Sequence, residues 1–167
     1  MQFQIAAFCI KYNKLCRKYE GFTLIELLVV VIIIGIMSAV ALPTFLGQTG
    51  KAKETEAKKN LSSIGLAQQT YFFERGTFAD NLTKLNVSFQ RNYYNFPEPT
   101  LVNANVVKHQ ADAENPVATN TRNYGLGVYY NSDGRFSVIL CQSSTPSGQA
   151  EAPNISTNLC SRGTQIQ

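Results

Sequence analysis

The carboxylate of Glu26 has the most unusual chemical setting in this sequence. It lies near the start of an apolar block that runs from Gly21 to Pro43, GFTLIELLVVVIIIGIMSAVALP. Between Phe22 and Leu42 the only other polar side chains are Thr23 and Ser38. A carboxylate costs up to a few kcal/mol in the middle of a bilayer and less near the interface. Because a group retained at that cost usually has a partner, Glu26 is the first candidate functional residue.

The other residues with reactive side chains do not form the pattern of a catalytic site. His109 is the only histidine, and with no nucleophile motif nearby we expect it to have an ordinary role in a polar loop. Gly125 and Gly127 fall inside a strand pattern and lack the loop and helix of a phosphate-binding motif. The acidic residues are too scattered for a calcium site, and the cysteines lack further ligands at metal-binding spacing. The sequence predicts no enzyme, no cofactor and no metal.

The apolar block predicts a membrane-spanning helix, because about twenty helical residues at about 1.5 Å each cross the hydrocarbon of a bilayer. A plain single-pass anchor is one alternative. A cleaved secretory signal is another, with a cut site at Ala39-Val40-Ala41, but the apolar run is too long and includes Glu26. A basic cluster precedes the block, at Lys11, Lys14, Arg17 and Lys18. Such a flank favours a cytoplasmic N-terminus and an external soluble part.

The stretch Gly21-Phe22-Thr23-Leu24-Ile25-Glu26, between the basic cluster and the apolar helix, resembles the class III signal of type IV pilins and the related pseudopilins. The resemblance implies that a prepilin peptidase removes the leader, residues 1–21, and methylates the new amine on Phe22. It also implies that Glu26 pairs with the amine of a neighbouring subunit. Since both charges lie in or near lipid, removing one partner costs several kcal/mol.

Two residues weaken the apolar helix. Pro43 has no N–H to donate to the carbonyl of Ala39, so we expect a kink there, and Gly35 is a second weak point. The pilin resemblance implies that the helix between Gly35 and Pro43 partly melts in a filament. A simple packing kink in a membrane helix is the alternative.

Four cysteines divide between the two ends of the chain. Cys9 and Cys16 lie in the leader, whereas Cys141 and Cys160 lie near the C-terminus. In an oxidising compartment a disulfide between the latter two is the default expectation, with two free thiols as the alternative. Closing a loop of about twenty residues contributes about 3 kcal/mol in the chain-entropy model. The resemblance supports this bridge, because many pilins have a disulfide-bounded C-terminal region.

The rest of the chain predicts a globular head packed on the end of the helix. From Lys51 an amphipathic pattern continues, with Ala57, Leu61, Ile64, Gln68 and Tyr71 on one face and a charge cluster that we expect to be solvated. Arg75-Gly76 ends a helix that begins at Phe22 and runs to about Glu74. The next segment, residues 77–92, carries anchors that fold it back onto the helix: Phe78, Leu82, Leu85, Val87 and Phe89.

Two β-strand runs, Asn123 to Tyr130 and Arg135 to Cys141, bracket an Asp-Gly turn and predict a hairpin. A short strand is expected from Leu101 to Lys108. The tail from Gln142 to Gln167 has little to bury, so the disulfide is expected to hold it. The fold class is α+β, a long N-terminal helix on a small antiparallel sheet. The predicted organisation is a leader at 1–21, helix halves at 22–50 and 51–75, and a head at 76–167.

These features predict a structural subunit of a type IV pilus, polymerised through its N-terminal helix. A minor pilin or a type II secretion pseudopilin is the alternative, and an anchored enzyme or receptor lacks a site. The expected partners are copies of the chain, the bacterial inner membrane before assembly, the prepilin peptidase and the assembly machinery. The expected destination is an extracellular surface filament for twitching motility, cell adhesion or DNA uptake.

Charge gives little support for a nucleic-acid partner. The sequence has 15 basic and 11 acidic residues, which give a formal net charge of +4. Removing the four basic residues and the one acidic residue of the leader leaves 11 and 10, a net charge of +1. A candidate DNA-binding stripe would comprise Lys108, Arg122, Arg135 and Arg162.

Overall fold

The computed structural model describes residues 22–89, 91–156 and 159–166. It divides into two compact units, one ending at Leu42 and the other comprising Pro43–Gln167. The leader, with Gly21, Cys9 and Cys16, lies outside the described residues.

Helix α1 comprises Leu24–Arg75 and confirms the predicted long helix. It ends where the glycine stop was expected: Gly76 has a positive φ of 71°, and its N–H donates to the carbonyl of Phe72 at 2.8 Å. Glycine adopts this left-handed geometry without a Cβ penalty. The helix assignment continues through Pro43, and the kink and melting stay predictions.

In the N-terminal unit the helix is apolar on every side. All residues from Phe22 to Leu42 are exposed. Within the described part of the chain, α1 alone is long and apolar enough to cross a membrane, judged by length and composition.

The C-terminal unit is built on an antiparallel sheet. Its strands are β1 (Tyr94–Asn95), β2 (Leu101–Val102), β3 (Val106–Ala113), β4 (Tyr124–Tyr130), β5 (Phe136–Gln142) and β6 (Thr164–Gln165). The order is β1-β3-β4-β5-β6, with β2 also paired to β3. A 3₁₀ turn, Leu82–Leu85, and a short helix, α2 (Pro116–Thr119), lie in the connections.

The hairpin prediction is confirmed by β4 and β5, which pair from Tyr124↔Gln142 to Tyr130↔Phe136. The prediction of one strand from Leu101 to Lys108 is wrong, because the segment turns back on itself and pairs Val102 with Val107. The cause is Asn103, whose Oδ1 accepts the backbone N–H groups of Asn105 at 3.0 Å and Val106 at 2.8 Å. An Asn side chain that satisfies two amides in this way stabilises a turn over a continuous strand.

The core lies between α1 and the sheet. The predicted helix face is confirmed, since Ala57, Leu61, Ile64 and Gln68 are buried and Tyr71 is half-buried. The anchors after α1 join the same core, with Phe78, Leu82 and Leu85 buried and Val87 and Phe89 packed at its edge. Residues three and four apart share a helix face, so this stripe packs on one side of the sheet.

The C-terminal tail is more embedded than the sequence predicted. The Cys141–Cys160 disulfide is confirmed, but it does not act alone. Ala150, Ala152 and Pro153 are buried, and the Tyr129 hydroxyl donates to the Pro153 carbonyl at 2.5 Å. A Cβ on Gly125 would lie 2.6 Å from the Ala150 carbonyl oxygen, so glycine lets the tail lie directly on β4.

Candidate assembly site

The start of α1 is a closed hydrogen-bonded ring between Thr23 and Glu26. Glu26 Oε2 accepts the backbone N–H of Thr23 at 3.0 Å and its hydroxyl at 2.9 Å. The backbone N–H of Glu26 in turn donates to Thr23 Oγ1 at 3.3 Å. This is a capping box, in which N-cap and N3 side chains satisfy each other's free amides. The ring therefore fixes the carboxylate at the first turn of the helix.

Thr23 is a residue of this candidate site whose capping role was not predicted from the sequence. Its signal was available, because Thr23-Leu24-Ile25-Glu26 has the Thr-x-x-Glu spacing of a capping box immediately before an apolar run. A carboxylate in the first turn also interacts favourably with the positive end of the helix dipole. Within the chain, Glu26 is thus stabilised by Thr23 and by the helix itself.

The other predicted site residues lie at different places along the chain. Phe22 is exposed beside the capping box, whereas Gly21 lies outside the described residues. Gly35 and Pro43 both lie within α1. A Cβ added to Gly35 would meet nothing within 4 Å in the described residues. Packing inside one subunit therefore gives no reason for glycine at this position.

Two carboxylates of the charge cluster on the second half of α1 hold loops of the head. Glu54 Oε1 accepts the backbone N–H of Arg122 at 3.0 Å, and Glu56 Oε1 accepts the N–H of Asn92 at 3.1 Å. The expectation of a fully solvated cluster is therefore wrong for Glu54, which is buried. Lys58 lies over the ring of Tyr124, 5.4 Å from its centroid. These residues connect helix and sheet.

The candidate DNA-binding stripe, which the sequence did not support, loses one of its four cations because Lys108 is buried. Its Nζ donates to Glu151 Oε1 at 3.2 Å and to Asn154 Oδ1 at 2.7 Å. A buried ammonium needs such partners, and here both come from the C-terminal tail. Lys108 is a structural cation that ties β3 to the tail.

His109 is also placed differently from the expectation of a polar loop. It lies in β3, is buried, and its Nε2 is 2.9 Å from Gln68 Nε2 on α1. Burial lowers the pKa of His109 to about 4, so the imidazole is neutral at physiological pH. Among the described residues, no group of three or more His, Cys, Asp or Glu side chains could hold a metal.

Comparison with known proteins agrees with these features. The family model "Type IV pilin-like G and H" matches residues 54–166, and the model "Prokaryotic N-terminal methylation motif" matches residues 16–42. The second match covers the Thr23–Glu26 ring and the exposed apolar helix. The first covers the sheet and the disulfide.

Curated relatives include major pilins and a secretion protein. The chain is 36% identical to the type IV major pilin protein PilA of Myxococcus xanthus over 65% of this chain and 50% of that protein. It is 34% identical to the type IV major pilin protein PilE1 of Neisseria gonorrhoeae over 62% of this chain and 53% of that one. The chain is also 42% identical to the type II secretion system core protein G of Pseudomonas aeruginosa, over 33% of this chain and 39% of that protein.

The chain spans about half the length of the major pilins it matches. The family model for the head nevertheless covers more than half of this chain, and the methylation motif covers the start of α1. The fold agrees, with a long apolar helix, an antiparallel sheet and a disulfide near the C-terminus. The chain belongs to the type IV pilin family, and the major pilins that it matches are structural proteins rather than enzymes.

Proposed function

We propose that this chain is a structural subunit of a type IV pilus. It is made as an inner-membrane precursor, cut after Gly21, methylated on the amine of Phe22, and polymerised through the first half of α1. The observation that carries the proposal is the exposure of every residue from Phe22 to Leu42. A helix that is apolar on all sides requires an apolar environment from outside its own chain.

Two environments meet that requirement in succession. Before assembly, the bilayer surrounds the helix, which has the length and composition to cross it. After extraction, the same surface becomes buried against the helices of sister subunits, at about 25 cal/mol for each Å² of apolar area removed from water. The apolar helix thus first anchors the subunit and then forms the interior of the filament.

Glu26 supplies the register of that assembly. Cleavage would place an ammonium on Phe22 at the head of the helix, and an axially shifted neighbour could bring its own ammonium to the Glu26 carboxylate. In an apolar filament interior an unpaired charge costs several kcal/mol. Only an arrangement that pairs each carboxylate with an amine avoids that cost, so the pair selects the subunit spacing.

Gly35 and Pro43 are proposed to allow the helix to change in the filament. Pro43 removes one helical hydrogen bond, and Gly35 lowers helix propensity by about 1 kcal/mol relative to alanine. Because the described residues leave the space beside Gly35 open, a neighbouring helix could approach closely there. Partial melting between the two residues would let α1 adjust to that packing.

The pilin assignment is favoured over a type II secretion pseudopilin by the extent of similarity. The matches to two major pilins cover 65% and 62% of this chain, whereas the secretion core protein covers 33%. We therefore propose a surface filament used for motility, adhesion or DNA uptake. Abundance in filaments sheared from cells tests this assignment, since a minor pilin or a pseudopilin would be scarce there.

The decisive experiment is mass analysis of sheared surface filaments. We expect a mature chain that begins at a methylated Phe22 and retains the Cys141–Cys160 bridge. A Gly21→Arg variant is the matched control, because an altered cut site should leave the uncleaved precursor in the membrane fraction. Uncleaved wild-type monomers in a cell that otherwise makes filaments would refute the proposal.

A further inference from the structure

The buried carboxamide of Gln68 joins α1 both to the segment that follows it, residues 77–89, and to an imidazole on β3. Gln68 on α1, Ala79 in that segment and His109 on β3 are each at most 1% exposed. Gln68 Oε1 accepts the backbone N–H of Ala79 at 2.9 Å, and Gln68 Nε2 donates to the Ala79 carbonyl at 2.9 Å. The same Nε2 lies 2.9 Å from His109 Nε2. We name these three residues the Gln68 latch.

The backbone of Ala79 determines the protonation state that this latch requires. A backbone N–H can only donate and a carbonyl can only accept, so the Gln68 carboxamide has one allowed orientation. Its NH₂ group therefore faces His109, and His109 Nε2 must be the bare, accepting nitrogen. The neutral ring then carries its proton on Nδ1, which has no hydrogen-bond partner among the described residues. This tautomer follows from geometry alone.

Among the described residues, no charged group is paired with His109 to favour its protonated form. In the described part of the chain, the titratable side chains of this core are the phenols of Tyr71, Tyr94, Tyr124 and Tyr130, which are neutral in acid. Charged groups on the packed elements are engaged elsewhere: Glu54 with Arg122, Asp80 with Lys84, and Lys108 and Asp112 on the opposite face of β3. Burial is accordingly the cause that lowers the pKa of His109.

We propose that the Gln68 latch is an acid-sensitive switch that frees the segment after α1 when His109 becomes protonated. A proton on Nε2 places an N–H donor against the Gln68 NH₂ group, and two donors cannot share that contact. If Gln68 rotates away, Ala79 loses both of its hydrogen bonds to the side chain. The segment 77–89 then lacks these two hydrogen bonds to α1, while Gly76 keeps its bond to Phe72 and the β4–β5 hairpin keeps its own ladder.

Hydrogen exchange at the amide of Ala79 tests the switch directly, using the full chain in detergent micelles. From neutral pH to a pH at which the His109 ring signals show protonation, we expect Ala79 protection to fall by about tenfold or more. Amides of the β4–β5 ladder should keep their protection. A His109→Gln variant retains an acceptor for Gln68 but cannot titrate, so its Ala79 protection should stay constant. A Gln68→Met variant should leave Ala79 unprotected at both pH values.

Four results would overturn the switch. The first is unchanged protection of Ala79 in the wild type after His109 is protonated. The second is an equal loss of protection in His109→Gln. The third is a loss at Ala79 that occurs together with a loss in the β4–β5 ladder. The fourth is a nitrogen NMR spectrum of the neutral wild-type ring that shows the proton on Nε2 instead of Nδ1.

Discussion

The two halves of α1 differ in whether their apolar side chains are buried within the chain. From Phe22 to Leu42 every residue is exposed. In the half that belongs to the head, Ala57, Leu61 and Ile64 are buried, while Leu66, two residues after Ile64 and on another face, is 66% exposed. The second half is an ordinary amphipathic helix with its core in the same chain. Among the described residues the first half packs on no such core, and we propose that lipid or other subunits supply its stabilising contacts.

The carboxylates of the two halves differ in the same way. Glu54 and Glu56 accept backbone amides of residues that are far away in the sequence, Arg122 and Asn92. Glu26 is hydrogen-bonded to Thr23 in its own helical turn. A carboxylate of the head thus completes the fold of its own chain, whereas we propose that the charge of Glu26 serves a partner outside the chain. Substitutions in the first half should therefore lower filament yield, whereas substitutions in the second half should lower the free energy of unfolding.

The largest expected effect is loss of filaments in Glu26→Ala. We expect the precursor to be inserted and cut after Gly21 as in the wild type, because the cut precedes helix packing. Filament yield should fall by about a hundredfold or more, since an uncompensated amine costs about 3–5 kcal/mol and each 1.4 kcal/mol is a factor of about ten. Immunoblots of membrane and sheared fractions measure both steps.

Glu26→Gln separates charge from capping, because glutamine can still accept hydrogen bonds from Thr23. If charge pairing sets the register, Glu26→Gln should assemble as poorly as Glu26→Ala. Normal filaments from either variant would refute the pairing.

The next effect belongs to the other half of the helix. Leu61→Ala removes a fully buried side chain and should lower the free energy of unfolding by about 2–5 kcal/mol. Leu66→Ala on the same helix is the matched control, and its effect should stay within about 0.5 kcal/mol. Denaturant titration of the full chain in detergent measures both. Equal losses would mean that the buried stripe does not carry the stability of the head.

Local signals account for what the sequence predicted correctly. The stripe of Ala57, Leu61 and Ile64 repeats with helical spacing, the glycine at 76 stops the helix, and the Asp-Gly turn joins β4 to β5. The disulfide followed from having a single pair of cysteines outside the leader. Each inference needed only a few neighbouring residues or a simple count.

Contacts between distant residues account for what the sequence could not predict. The burial of His109 depends on Gln68, and that of Lys108 on Glu151, at separations of 41 and 43 residues. The docking of the tail likewise depends on Tyr129. Asn103 was misjudged because an Asn side chain can replace strand hydrogen bonds with a turn. Thr23 is different, because its capping role follows from the Thr-x-x-Glu spacing in the sequence but was not predicted.

The third effect concerns the tail. Replacing both cysteines, Cys141→Ser with Cys160→Ser, should lower the free energy of unfolding by about 3 kcal/mol. The tail should nevertheless stay docked, because Tyr129 still donates to Pro153; burial raises the pKa of Tyr129 to about 12, so the donor is present at neutral pH. Denaturant titration gives the stability, and protease digestion reports on docking.

A single-site Tyr129→Phe variant completes this test. It removes one hydrogen bond and should cost about 1 kcal/mol. Rapid cleavage of the tail in the serine variant alone would mean that the disulfide is its sole attachment.

The smallest expected effect comes from Thr23→Val, which removes the cap but keeps the charge of Glu26. Loss of an N-cap hydroxyl costs about 0.5–2 kcal/mol, so the first turn should fray, and the Glu26 amide should exchange faster with solvent. Thr23→Ser is the control, because serine retains the hydroxyl. We expect filament yield to fall far less than in Glu26→Ala. If the two variants instead lose filaments equally, the carboxylate acts by capping its own helix, and the distinction drawn between Glu26 and the carboxylates of the head fails.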